Sequence, residues 1–119
     1  MERVKENVVR EKSFRFALRV VKLYRYLCER QREFVMSKQL LRSGTAIGAL
    51  VREAEQAESR RDFVHKMAIA LKEANESEYW IQLLSESGYL GKKSSDSIQA
   101  DLTELLKLLT AIIKTTKSR

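Results

Sequence analysis

The chain contains no proline. Proline and glycine are the strongest punctuation a chain has for turns and sheet corners, and four glycines in 119 residues do not make up the deficit. Helices joined by short loops tolerate this, whereas a β-sandwich or an α/β fold needs more turn residues. Two of the glycines sharpen the point. Gly44 and Gly48 lie four apart in RSGTAIGALVREA, a stretch that otherwise reads as helix. Each costs a helix interior about 1 kcal/mol relative to alanine. One turn apart they share a face, with Ala46 and Ala49 nearby, and remove the bulk that would keep a second helix away. The spacing is that of a membrane GxxxG pair, but Arg42, Arg52 and Glu53 argue against a bilayer. A phosphate-binding glycine loop would need a preceding strand and a Lys-Ser/Thr ending.

Four helical segments follow from apolar residues recurring at a spacing of about 3.6. The first spans roughly 13–32. Phe14, Ala17, Leu18, Val21, Tyr24 and Cys28 form one stripe, and Phe16, Val20, Leu23 and Leu27 an adjacent one. Together they exceed the roughly 100° arc that a helix buries in a monomeric bundle. The excess predicts two burial partners, one within the subunit and one outside it. The second segment spans 37–57, with Ser37 as N-cap and Leu40, Gly44, Ile47, Gly48 and Val51 on one face. The third spans 60–87. Ser59 and Asp62 have capping-box spacing, and Phe63, Met67, Ala70, Ala74, Ser77 and Ile81 face one way, with Ile69, Trp80 and Leu84 on another stripe. Gly88 is a C′ signal, with Tyr89 and Leu90 folding back over the helix end. GKKSSD is read as a linker into the fourth segment, 95–117, with Ile98, Leu102, Leu105, Leu109 and Ile112 as its seam. The expectation is all-α: one antiparallel up-down-up-down four-helix bundle across residues 1–119.

The formal net charge is +7. Residues 1–60 hold 14 Lys and Arg against 8 Asp and Glu, and residues 61–119 hold 9 against 8. The excess therefore belongs to the N-terminal half. Lys12, Arg15, Arg19, Lys22 and Arg30 share one face of the first helix with Tyr26. That pattern is either a solvated face or a surface for an anionic partner such as nucleic acid. No apolar run reaches membrane-span length, and MERVKENVVREK is too charged for a signal peptide, so no membrane partner and a cytoplasmic location are expected.

Catalytic constellations are thin. A di-iron bundle needs two Glu-x-x-His motifs, and His65 is the only histidine. Zinc fails likewise, since Cys28 is the only cysteine. His65 reads as a polar-face residue and Cys28 as a small apolar one. No cofactor, no metal and no enzymatic activity are expected. Glu78 falls near the apolar face of the third helix and needs a partner if buried. Arg42 is the expected one, with Arg25 as a second candidate, in a buried pair that fixes register.

Residues 38–84, KQLLRSGTAIGALVREAEQAESRRDFVHKMAIALKEANESEYWIQLL, closely resemble the 23S rRNA intervening-sequence protein family, also called four-helix bundle proteins. The matching positions are Arg42, Ser43, Ile47, Gly48, Glu53, Phe63, Ala70, Leu71, Glu73, Ala74 and Glu78. Ala46 and Leu50 depart from a frequent Ser and Asn. The resemblance implies an antiparallel four-helix bundle and a homopentamer. The family is also similar to the accessory variability proteins of diversity-generating retroelements, basic pentamers that bind nucleic acid. Two functions are therefore expected as alternatives. One is a non-catalytic, self-associating bundle that contacts rRNA or other nucleic-acid phosphates through Lys12, Arg15, Arg19, Lys22 and Arg30, with Tyr26 stacking on a base. The other is a structural or adaptor bundle for a protein partner.

Overall fold

The computed structural model describes residues 2–119, with side chains from Val4 onward. It holds four helices: α1 (Glu2–Glu29), α2 (Met36–Ala54), α3 (Arg60–Glu86) and α4 (Lys92–Lys117). Contacts between helices run in opposite sequence directions. Arg10 meets Glu55 and Cys28 meets Ser37 across α1 and α2, and Lys66 meets Glu53 while Arg42 meets Glu73 across α2 and α3. Lys12 meets Glu104 and Arg19 meets Asp101 across α1 and α4. Each helix is thus antiparallel to its neighbours, and α1 packs on α2 and α4 while α3 packs on the same two. The bundle measures 47 × 22 × 19 Å, which matches the roughly 42 Å of a 28-residue helix. No described helix is long and apolar enough to cross a membrane.

The core runs along the bundle axis. Val9, Phe16, Val20 and Leu27 come from α1, Leu40, Ile47 and Val51 from α2, Met67, Ala70, Ala74, Ile81 and Leu84 from α3, and the five predicted residues of the fourth seam from α4. On α1 the structure chooses between the two predicted stripes. Phe16, Val20 and Leu27 are buried, while Phe14 and Leu18 are each 49% exposed. Of the outer stripe, Ala17, Val21, Tyr24 and Cys28 are half-buried, and Phe14, with the Arg52 guanidinium over its ring, and Leu18 are what the single chain leaves open. Leu84, assigned to a separate stripe from sequence, belongs to the core.

The glycines do different things. A Cβ on Gly44 would sit 2.8 Å from a methyl of Val20, closer than real carbon atoms approach. On Gly48 it would lie 3.4 Å from the Ser13 carbonyl oxygen, an ordinary contact. Gly44 is therefore the residue that lets α1 lie down on α2, and Val20 cannot easily give way because its branched side chain has little rotamer freedom.

Helix boundaries depart from expectation at three places. α1 begins at Glu2 rather than near residue 13, because no helix breaker interrupts ERVKENVVREK and Val9 reaches the core. α4 begins at Lys92, so most of the expected linker is its first turn. Ser37 is not the cap of α2. It lies inside the helix, buried, and its hydroxyl donates to the Glu33 carbonyl at 2.8 Å. The cap is the Glu33 carboxylate, which accepts from the N–H groups of Val35, Met36 and Ser37 at 3.0, 3.0 and 2.7 Å. The two other capping expectations hold. Asp62 N–H donates to Ser59 Oγ at 3.0 Å, and Gly88 turns the chain at φ 90°, with Tyr89 N–H donating back to the Leu84 carbonyl at 3.0 Å.

Candidate nucleic-acid interface

The six predicted contact residues, five on α1 and Arg30 just past its end, divide into two groups. Toward the N-terminal side the cations are already engaged. Lys12 is paired with Glu104 at 3.0 Å, and Arg15 with Glu11 one turn earlier. Arg19 is the most tied down: it donates to Asp101 at 2.6 Å, to Ser97 Oγ at 3.0 Å and to the Ser97 carbonyl at 3.3 Å. This face of α1 lies along α4, over a groove lined by Lys12, Arg15, Phe16, Arg19, Asp101 and Glu104. α4 brings its carboxylates to the same groove, so Lys12 and Arg19 serve the bundle first, while Arg15 pairs within α1.

Toward the C-terminal end of α1 the arrangement changes. Among the described residues Lys22 and Arg30 meet no carboxylate, and the Tyr26 hydroxyl accepts from Gln31 Nε2 at 2.6 Å. Sequence reasoning missed what continues from there. Arg25, also exposed, has no acidic partner among the described residues and is not the mate of Glu78. Arg32 and Phe34 occupy the turn between α1 and α2, and Lys38 stands exposed on the first turn of α2. The Arg32 guanidinium lies over the Phe34 ring, 5.4 Å from its centroid. Phe34 is 52% exposed and Val35 73%. The signal was legible in part, since REFV places an aromatic residue beside an arginine between two helices.

The expected Arg42–Glu78 pair does not form. Arg42 is exposed and bridges Glu73, at 3.1 Å, and Glu76, because residues 73 and 76 are the ones that α3 turns toward α2. Glu78 points instead toward α4, where it accepts from Gln99 Nε2 at 2.7 Å. Glu76 also accepts from Trp80 Nε1 at 2.9 Å, and the two donors, Arg42 before Trp80, hold its carboxyl below the usual range. Next to this bridge the Ser43 and Ser77 hydroxyls meet at 2.9 Å in the buried seam. Arg42, Ser43 and Glu73, three of the positions that carry the resemblance, lie in the seam between α2 and α3.

Nothing in the interior offers a second kind of site. Every buried side-chain nitrogen and oxygen among the described residues has a partner, and no described group of three or more His, Cys, Asp or Glu is placed to hold a metal. His65 is exposed and Cys28 half-buried. The groove between α1 and α4 is lined by charged side chains around Phe16.

Comparison with known proteins bears on this arrangement. Residues 5–111 match the family described as 23S rRNA-intervening sequence protein. Among solved structures, the chain is similar to a protein with unknown function from the S23 ribosomal protein family of Bacteroides thetaiotaomicron VPI-5482. The two are 59% identical, with a TM-score of 0.91, over 92% of this chain and 98% of the other. No curated protein matches.

Proposed function

The chain belongs to the 23S rRNA-intervening sequence protein family, and on that premise we propose that it is a non-catalytic, self-associating bundle of the cytoplasm that binds nucleic acid through its phosphates. The observation that carries the reading is the uneven pairing of its cations. The +7 chain engages Lys12, Arg15 and Arg19 with carboxylates, but around the C-terminal end of α1 and the start of α2 it leaves Lys22, Arg25, Arg30 and Lys38 without acidic partners among the described residues. Cations with no internal partner are what a polyanion recruits, through release of its condensed counterions. Phe14 and Leu18, half exposed on α1, supply the apolar stripe through which copies of the chain cover one another. Assembly then multiplies the basic ends, in line with the homopentamer that the sequence resemblance implies.

The test combines light scattering with binding to rRNA fragments and duplex DNA over a range of salt. The expected result is an oligomer whose affinity falls steeply as salt rises. A stable monomer, or an affinity indifferent to salt, contradicts the reading. The adaptor alternative draws on the internally paired Lys12, Arg15 and Arg19. It predicts no nucleic-acid binding at any salt.

A further inference from the structure

We infer that the turn between α1 and α2 is a base-stacking platform, so that the nucleic acid this protein takes is single-stranded; the inference rests on the phosphate-binding reading above. Four features of the turn converge on it.

The first is exposure. Phe34 and Val35 leave about half or more of their surface in water, although the neighbouring Glu33 and Ser37 are buried. The turn is held firmly, because Glu33 grips three successive N–H groups from inside and its own N–H donates to the Leu27 carbonyl at 2.9 Å. A rigid turn that presents an aromatic ring outward is pre-organised to receive a partner.

The second is the backbone of Arg32. Its φ is 56°, and it is the only non-glycine residue described with a positive φ. Glycine normally takes this position after a helix, because any Cβ is penalised there. At the other tight turn, after α3, the chain does use a glycine, Gly88. A strained arginine where glycine is easier suggests that its side chain is wanted.

The third is what that side chain does: the guanidinium lies over the Phe34 ring; the chain's other such pair, Arg52 over Phe14 at 5.3 Å, lies on the flank of the bundle and not on a turn. A planar cation beside an aromatic ring is the pairing that stacks on bases without regard to sequence. The fourth is the setting. Arg25 and Arg30 at the end of α1 and Lys38 on the first turn of α2 flank the turn in sequence, exposed and without acidic partners among the described residues, and outnumber the one exposed carboxylate between them, Glu29, while the exposed Tyr26 ring lies on the last turn of α1. A second copy of the chain would bring like charges together at this point, whereas a phosphate backbone is complementary to them. A duplex offers phosphates but hides the faces of its bases. A single strand offers both.

The experiment uses the full-length protein with a fluorescent twelve-nucleotide RNA, alone and annealed to its complement, across a salt series. Phe34→Ala is expected to lower single-strand affinity by about tenfold and duplex affinity by less than about twofold, with the salt slope unchanged because no charge is lost. Arg32→Gly is expected to lower single-strand affinity while raising the melting temperature by about 2–5 °C, since it relieves the left-handed strain. That combination separates a binding role from a folding role. Equal loss on single strand and duplex, or no loss from either substitution while the parent still binds in a salt-dependent way, overturns stacking and leaves phosphate binding standing. A parent that binds neither RNA removes the broader reading as well.

Discussion

The two halves of α1 carry similar charge in the sequence but not in the folded chain. Lys12, Arg15 and Arg19 lie where α4 and the preceding turn of α1 supply Glu104, Asp101 and Glu11. Lys22, Arg25 and Arg30, one to three turns further on, have no such partners among the described residues, and Arg32 and Lys38 extend that set around the turn. Counting cations along a helix therefore overstates its positive field wherever a helix distant in sequence returns carboxylates to it. The first half is a seam of the bundle. The second is free to act on something outside it.

The largest effect that sharpens this contrast comes from Glu33, because it holds the free end in place. The residue is buried, which alone would raise its pKa, but the N–H groups of Met36, Ser37 and Val35 outweigh burial and bring it below the ordinary 4.5. A carboxyl lowered in the folded state contributes stability above its unfolded value and loses it as pH falls through the folded one. Glu33→Gln is expected to cost about 1–3 kcal/mol at neutral pH, measured by denaturant melts. Its stability should also change less than the parent's between neutral pH and pH below about 4. Equal acid sensitivity in the two proteins would mean that the cap does not matter.

Next in size are the glycines, which fix how α1 lies on α2. Gly44→Ala gains about 1 kcal/mol of helix propensity but meets Val20 at 2.8 Å. Overpacking of this kind costs about 1–3 kcal/mol, so the expected net result is destabilisation. Gly48→Ala meets no such contact and should stabilise by up to about 1 kcal/mol. Thermal melts that moved both variants the same way would remove the distinction.

The smallest change in stability, and the most direct attempt to break the contrast, is to release the engaged cations. Asp101→Asn with Glu104→Gln frees Arg19 and Lys12. Both pairs are partly exposed, so stability should fall by less than about 1 kcal/mol for each. RNA affinity at low salt should rise by roughly threefold to tenfold as two more cations become available to phosphates. Unchanged affinity in a filter-binding assay would show that this face is out of reach of the ligand for some reason other than pairing.

Much of the fold could be read from the chain. The seam of α4, the capping of α3 by Ser59 and the turn at Gly88 all follow from local spacing and turn chemistry, which act within a few residues. The α2 cap could not be read the same way, because the Glu33 carboxylate replaces the expected serine and works from inside the turn. Which stripe of α1 is buried was also ambiguous, since Phe14 and Phe16 are equally apolar and only the approach of Gly44 to Val20 decides between them. The site was legible as a basic helix but misplaced along it. Lys22, Tyr26 and Arg30 remain at the open end, whereas Lys12 and Arg19 are claimed by residues of α4, far away in sequence. The expected Arg42–Glu78 pair failed for a related reason: the two residues of helix from Glu76 to Glu78 are enough to turn a carboxylate from one neighbour to another.

The account stands on the claim that the cations left unpaired by the bundle make the phosphate contacts. Two variants measured side by side test it, one with Lys12, Arg15 and Arg19 replaced by alanine and the other with Arg25, Arg30 and Lys38 replaced. The reading is the slope of single-stranded RNA affinity against salt. Each lost phosphate contact should remove about 0.7 from that slope. The first variant should therefore keep the parent slope, and the second should lose about 2 units of it. The opposite assignment, a flat first variant and an unchanged second, would contradict the account.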